Sequence, residues 1–171
     1  MTLPAKYKIL IITLSDRAYR GEYTDLSGPR VKERIEKFMN HQGWDYDVEL
    51  KLIPDEAPML GDLVINASSS TDIIITTGGT GIGPRDITVD TIRPLLSKEI
   101  PGIMDHIRLK YGAEKSNALL SRSIAGTRGR SLIYTLPGSV RAVDEYMDEI
   151  SRSLKHTLLM LHGIDTHGHG Q

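Results

Sequence analysis

The sequence predicts a three-layer α/β/α sandwich built on a mostly parallel central sheet. Three runs carry the prediction: Lys8–Leu14, Asp72–Thr77 and Ser131–Leu136 are short and almost uniformly apolar or β-branched. Such runs suit strands covered on both faces, as in parallel sheets. Strand and helix signals also alternate from the start of the chain, the pattern of an α/β domain with right-handed crossovers.

The first strand breaks at Ser15-Asp16-Arg17. Asp25 and Ser27 offer N-caps for a helix with Pro29 in its first turn and Val31, Ile35, Phe38 and Met39 at helical spacing, ending near Gly43. Tyr46, Val48, Leu50 and Leu52 alternate with charged residues, which predicts a half-buried strand towards a sheet edge. After Pro54-Asp55-Glu56, a helix with Pro58 in its first turn places Leu60, Leu63, Val64 and Ala67 on one side. The Asp72–Thr77 strand runs directly into Gly78-Gly79-Thr80-Gly81. A helix beginning after Thr88 must bend at Pro94, which cannot donate to the helical ladder. Pro101-Gly102 opens a helical stretch to about Tyr111. The Ser131–Leu136 strand leads through Pro137-Gly138 to Ser139, the N-cap of a long helix striped by Val140, Val143, Met147, Ile150, Leu154 and Leu158. Residues 1–163 are expected to form one domain, with 164–171 a Gly/His-rich flexible tail.

Composition narrows the function classes. The formal charge of -1 gives no bulk attraction to nucleic acid or a membrane surface. The absence of cysteine excludes a disulfide scaffold, thiolate metal ligands and a cysteine nucleophile. The apolar run Ile9–Leu14 is too short for a signal peptide or a membrane span, so a cytoplasmic protein is expected. His162, His167 and His169 are spaced by Gly, Thr and one Asp, and read as a polar tail rather than a metal site.

In open parallel sheets, ligands bind outside the carboxyl ends of the strands. The loops expected there include Ser15-Asp16-Arg17, Pro54-Asp55-Glu56, Gly78 to Asp86 and Leu136 to Ser139. Gly78, Gly79, Gly81 and Gly83 fall within six residues directly after a buried strand. Such a loop lets backbone N–H groups approach a phosphate chain. It is neither known glycine loop: Pro84-Arg85 stands where a P-loop needs Lys-Ser/Thr, and Pro84 stands where the dinucleotide fingerprint needs its last glycine. Asp55 and Asp86 each end a loop on this rim. A nucleoside triphosphate in the glycine loop would require Mg²⁺, which takes one or two protein carboxylates together with phosphate and water. By spacing alone, helix or loop capping is the simpler role for both.

Six segments together resemble the molybdopterin adenylyltransferase family of the molybdenum-cofactor pathway, the Mog/MoaB-like proteins. They are ITLSDR with Gly21 and Asp25, LIPDE at 52–56, TTGGTGIGPRDIT at 76–88, KEIPG at 98–102, LSRSIAGTRG at 120–129 and LPGS at 136–139. The resemblance implies the same three-layer fold, a homotrimer, and transfer of AMP from ATP to molybdopterin with release of pyrophosphate. A molybdenum insertase is implied as acceptor of the product. The family's catalytic, magnesium-binding aspartates fall on Asp55 and Asp86, with Glu99 a supporting carboxylate. LPGS departs from members with Asn at the position of Ser139.

On this reading Gly78, Gly79, Thr80 and Gly81 cradle phosphates and Arg85 offsets developing charge. Ser15 and Asp16, with Pro137, Gly138 and Ser139, bound the adenosine. Ser121 and Arg122 serve the molybdopterin side, since an arginine fork suits a phosphate or pterin edge. Two other classes stand beside it. A catalytically silent scaffold trimer is disfavoured by intact Asp55 and Asp86, and a nicotinamide oxidoreductase by Pro84.

Overall fold

The computed structural model describes residues 2–164. The tail beyond Ile164, with His167 and His169, lies outside the described residues. Six strands form one sheet in the order β2-β1-β3-β6-β5-β4. The predicted inner strands are β1 (Tyr7–Leu14), β3 (Ile73–Thr77) and β6 (Ser131–Leu136), and they occupy adjacent central places. β2 (Tyr46–Ile53) pairs with β1 in parallel at the edge, as its alternation predicts. β1/β3 and β3/β6 are also parallel.

The far edge carries two strands that left no signal in the sequence. β5 (Ala125–Arg128) and β4 (Lys98–Glu99) are antiparallel to their neighbours. β5 and β6 are joined through Gly129, whose φ of 58° admits the tight reversal.

The period of two along each strand divides the core. Ile9, Ile11, Ile73, Ile75, Leu132 and Tyr134 face α2 (Ser27–Gln42), α5 (Pro101–Gly112) and α6 (Val140–Leu161). Leu10, Ile12, Ile74 and Ile133 face α3 (Ala57–Ala67) and α4 (Thr88–Ile92). With two covered faces, the central strands bury nearly every side chain, which is why they read as unbroken apolar runs.

Local signals set the helix ends. Asp25 Oδ1 accepts from the backbone N–H groups of Ser27 and Gly28, at 2.9 and 3.2 Å, and so caps α2. Gly43 closes α2 in the left-handed region at φ 66°. At Pro94 the helical path tightens into a 3₁₀ turn, Arg93–Leu95, after α4.

Candidate active site

The chain leaves β1 towards β2 on one side, while β3 lies on the other, so the sheet reverses its winding between β1 and β3. A crevice forms at such a point, outside the carboxyl ends of the strands. The loops predicted to carry the chemistry meet there.

Register brings the first two together. Leu14 lies opposite Ile53, so Ser15-Asp16 and Pro54-Asp55 leave the sheet side by side. Ser15 Oγ accepts from Ala18 N at 3.2 Å and starts the single turn α1 (Asp16–Tyr19). The Asp16 N–H donates to Asp55 Oδ2 and the Asp55 N–H donates to Asp16 Oδ1, both at 3.0 Å. Arg85, from the glycine loop, donates through Nε and Nη2 to the two Asp16 oxygens, each at 2.9 Å. Three loops are thereby joined through one carboxylate.

The two aspartates are driven apart electrostatically. The Asp55 N–H, helped by Arg85, holds the Asp16 carboxyl below its ordinary range. Burial pushes the Asp55 carboxyl up, and the charges of Asp16 and Asp86 push the same way. Asp55 thus sits where added positive charge is favoured.

The glycine loop is shaped by close approaches. Gly78 has φ 100°, and a Cβ there would lie 2.3 Å from the Leu14 carbonyl oxygen. Gly79 has φ 67°, and its Cβ would lie 2.4 Å from Thr88 Oγ1. Thr88 Oγ1 donates to Gly78 O at 2.8 Å, and Thr88 N to Gly79 O at 3.0 Å. The Asp86 carboxylate folds back over the loop and accepts from Gly83 N at 2.8 Å. The capping role considered for Asp86 is therefore present, on one oxygen.

The turn after β6 closes on this loop. Gly78 N donates to Leu136 O and Thr77 Oγ1 donates to Pro137 O, both at 2.9 Å. Gly138 approaches so closely that a Cβ there would lie 3.3 Å from Gly78 Cα. Ser139 Oγ caps α6 by accepting from Ala142 N at 3.1 Å. A cavity opens on each side of this turn. One, of about 220 Å³, is lined by Ser15, Tyr23, Asp25, Ser27 and Gly138 among others. The other, of about 250 Å³, includes Arg108, Lys115, Ser121, Pro137, Ser139 and Tyr146 in its walls.

Two expected site residues are placed differently. Ser121 faces the second cavity, but Arg122 does not line it. The Arg122 fork is filled by Gly81 O, Asp86 O and Asp90, at 2.7 to 3.0 Å, which turns it to the glycine loop. Arg108 lines the cavity in its stead, donating to the carbonyl oxygens of Ser121 and Ser123 at 3.3 and 2.8 Å. Glu99 lies on the outermost strand β4, bonded to Arg93 at 3.3 Å, at the opposite sheet edge from β2, which leads into Asp55.

The sequence reading missed Tyr23 and Tyr146. Tyr23 Oη and Ser15 Oγ share a hydrogen bond at 2.7 Å, and Tyr146 donates to Ser121 Oγ at 2.9 Å. Tyr146 adjoins Val143 and Met147 on the buried stripe of α6, so its spacing signals core and nothing more.

With this geometry in hand, the family described as a probable molybdopterin binding domain matches residues 10–156. The chain belongs to that family. The match runs from β1 into α6 and takes in every rim loop described above. A relative named molybdopterin adenylyltransferase, from Pyrococcus furiosus, is 37% identical over 161 residues, covering 91% of each chain. Molybdenum cofactor biosynthesis protein B of Staphylococcus epidermidis is 34% identical over 159 residues, covering 90% of this chain and 88% of its own. Among solved structures, the molybdopterin biosynthesis enzyme MoaB of Thermus thermophilus superposes with a TM-score of 0.79 at 34% identity. It covers 92% of this chain and 97% of its own.

Proposed function

We propose that this protein is a molybdopterin adenylyltransferase of molybdenum cofactor biosynthesis. The observation that carries the reading is the meeting of Asp16, Asp55, Arg85 and Asp86 beside a tightly packed glycine loop, with cavities on either side of the Pro137–Ser139 turn. The relatives named for this activity support it.

ATP occupies the glycine loop, with its adenosine on the side of Ser15 and Gly138. Molybdopterin takes the cavity of Ser121, which shares the Pro137–Ser139 turn with the adenosine side. Arg108 holds the Ser121 carbonyl in that wall, and Tyr146 orients the Ser121 hydroxyl. The molybdopterin phosphate attacks the α-phosphorus of ATP, forming the new P–O–P bond as pyrophosphate departs. A phosphate monoester has a second pKa of about 6 and is largely dianionic at neutral pH. No protein base has to remove a proton, which fits a rim without a candidate catalytic histidine.

The difficulty is electrostatic, since two anions must meet. Phosphoryl-type transfers are catalysed mainly by positioning and charge neutralisation. Arg85 neutralises charge on the transferring phosphate, exchanging its Asp16 partner for phosphate oxygens. Backbone N–H groups from Gly78 to Gly81 cradle the chain.

The donor set suits Mg²⁺. Asp55 and Asp86 are hard oxygen ligands, and burial, with the charges of Asp16 and Asp86 adding to it, raises the Asp55 carboxyl. Among the described residues no three His, Cys, Asp or Glu side chains converge to hold an ion unaided. That agrees with a cation completed by phosphate oxygens and water. When bound, Mg²⁺ would screen the charge between the α-phosphate and the leaving pyrophosphate. The same reading makes the protein a cytoplasmic homotrimer that passes its product to a molybdenum insertase.

The test is incubation of the protein with ATP, Mg²⁺ and molybdopterin. Adenylyl-molybdopterin and pyrophosphate are expected in equal amounts, and binding of molybdopterin without ATP turnover would make the protein a silent carrier instead. Light scattering should give three times the 19.0 kDa chain mass, and a monomer mass would remove the trimer.

A further inference from the structure

The segment Thr80–Asp86 carries much of the proposed phosphate and cation site, yet its tip, residues 82–85, is exposed. Ile82 is 74% exposed, and Gly83, Pro84 and Arg85 face solvent. Gly78 and Gly79 are packed against Leu14 and Thr88, but the tip beyond them has little backing of its own. Gly83 N donates to Asp86 Oδ2 at 2.8 Å and Asp86 N to Gly83 O at 3.1 Å. Neither bond ties the tip to the rest of the protein.

One residue does. The Arg122 N–H donates to Thr80 O at 2.9 Å, Nε to Gly81 O at 2.7 Å and Nη2 to Asp86 O at 2.8 Å. Its Nη1 donates to both oxygens of Asp90, at 2.8 and 3.0 Å. Asp90 stands in the first turn of α4, just beyond the loop. A single guanidinium thus joins the entry of the tip, its exit and the following helix.

This arrangement has a directional consequence. In a trans peptide the C=O and the following N–H point in opposite directions. Drawing the Thr80 and Gly81 carbonyls towards Arg122 turns the N–H groups of Gly81 and Ile82 away from it. Among the described residues, those two N–H groups donate to no protein acceptor. They remain available to an anion. Holding the Asp86 carbonyl likewise fixes the backbone from which the Asp86 carboxylate projects.

We propose that Arg122 is a positioning residue of the nucleotide site, setting the peptide planes at both ends of the Gly81–Asp86 tip. The proposal rests on the assignment of this loop to ATP and Mg²⁺. On this proposal Arg122 serves the nucleotide side of the site and not the molybdopterin side.

The test compares Arg122→Lys and Asp90→Asn with the wild-type chain. Lysine keeps the charge but has one ammonium in place of a planar fork, so it cannot hold both carbonyls and Asp90 in fixed geometry. Asp90→Asn leaves Arg122 in place and removes only the charge that anchors it. Hydrogen exchange at the Gly83 and Asp86 amides of the nucleotide-free protein reads the clamp, and steady-state kinetics read its effect. In Arg122→Lys, exchange at both amides and KM for Mg-ATP should each rise roughly tenfold, the scale of a lost charge-assisted bond. KM for molybdopterin should stay unchanged, and Asp90→Asn should shift the same quantities less.

Unchanged exchange in both variants overturns the proposal, as does a rise in KM for molybdopterin alone. Faster exchange with unaltered KM for Mg-ATP overturns it too. A parallel Asp86→Asn variant then separates the causes. If that variant is inactive, the clamp has failed; if it turns over normally, the assignment of the loop has failed.

Discussion

Asp16 and Asp55 each accept the other's backbone N–H at 3.0 Å, so two loops from adjacent parallel strands are fastened by a reciprocal pair of carboxylates. Asp16 then takes the Arg85 fork as well. The Arg85 side chain is 61% exposed, and an ion pair so open to water adds little stability. Its consequence is positional: Arg85 is held on the rim and can be exchanged to a stronger anion.

Asp16→Asn should therefore leave the fold intact, since Asn retains an acceptor for the Asp55 N–H. It should release Arg85 and remove a charge that raises Asp55. Direct titration of Asp55 by carbon-detected NMR should find a lower pKa in the variant. Released Arg85 would lower Asp55 less, a smaller influence than the Asp16 charge, so an unchanged or raised Asp55 titration would contradict the raising role of Asp16.

Gly78→Ala should be severely disruptive. Its φ of 100° is one that L side chains seldom adopt, and the added Cβ would meet a backbone oxygen, which cannot rotate away. Strain of this kind costs about 1–3 kcal/mol before the clash is counted. Gly102→Ala is the control. A Cβ there meets nothing within 4 Å, and the position is in the first turn of α5. A melting temperature at or above wild type is expected for Gly102→Ala, with a clear fall for Gly78→Ala. Equal effects would contradict the packing described for the loop.

His162 supplies a pH dependence away from the site. It is 2% exposed, and its Nδ1 lies 2.7 Å from Arg130 Nη2. Arginine only donates, so Nδ1 accepts and the ring is neutral. Burial, with Arg130 adding to it, holds this histidine below the ordinary value of 6.5. Between its folded pKa and 6.5 the unfolded chain binds more protons than the folded one. Its contribution is therefore complete above 6.5 and is lost as pH falls through that value towards the folded pKa. His162→Asn, which keeps an acceptor near Nδ1, should lose less melting temperature than wild type between about pH 7.5 and about pH 5.5. An identical acid loss in both proteins would remove His162 as a source.

The inner sheet and the rim were legible because each left a strong local mark. Runs such as DIIITT have few alternatives once two covered faces are required, and a glycine cluster after such a run has few roles. β5 was missed because Ala125-Gly126-Thr127-Arg128 has neither alternation nor an apolar run, and its place depends on pairing with β6. β4, at two residues, leaves no period to read. The partners of Arg122 were not legible for a related reason. Its neighbours in sequence suggest a ligand, but what fills its fork comes from Gly81, Asp86 and Asp90, more than thirty residues away. Hydrogen bonds across such distances, like the Asp16–Asp55 pair, have no one-dimensional signature.

In the proposed function the Asp86 carboxylate serves charge, not shape, in adenylyl transfer. Asp86→Asn keeps the acceptor that Gly83 N uses and loses the negative charge that a divalent cation requires. As a cap, Asn serves about as well as Asp, to within a few tenths of a kcal/mol. The decisive measurement is formation of adenylyl-molybdopterin by the Asp86→Asn protein at saturating ATP and Mg²⁺, with its melting temperature taken on the same preparation. An unaltered melting temperature is expected with product formation abolished, restored only in part at high Mg²⁺. Wild-type product formation by the Asn variant would return Asp86 to a purely structural role and contradict the account.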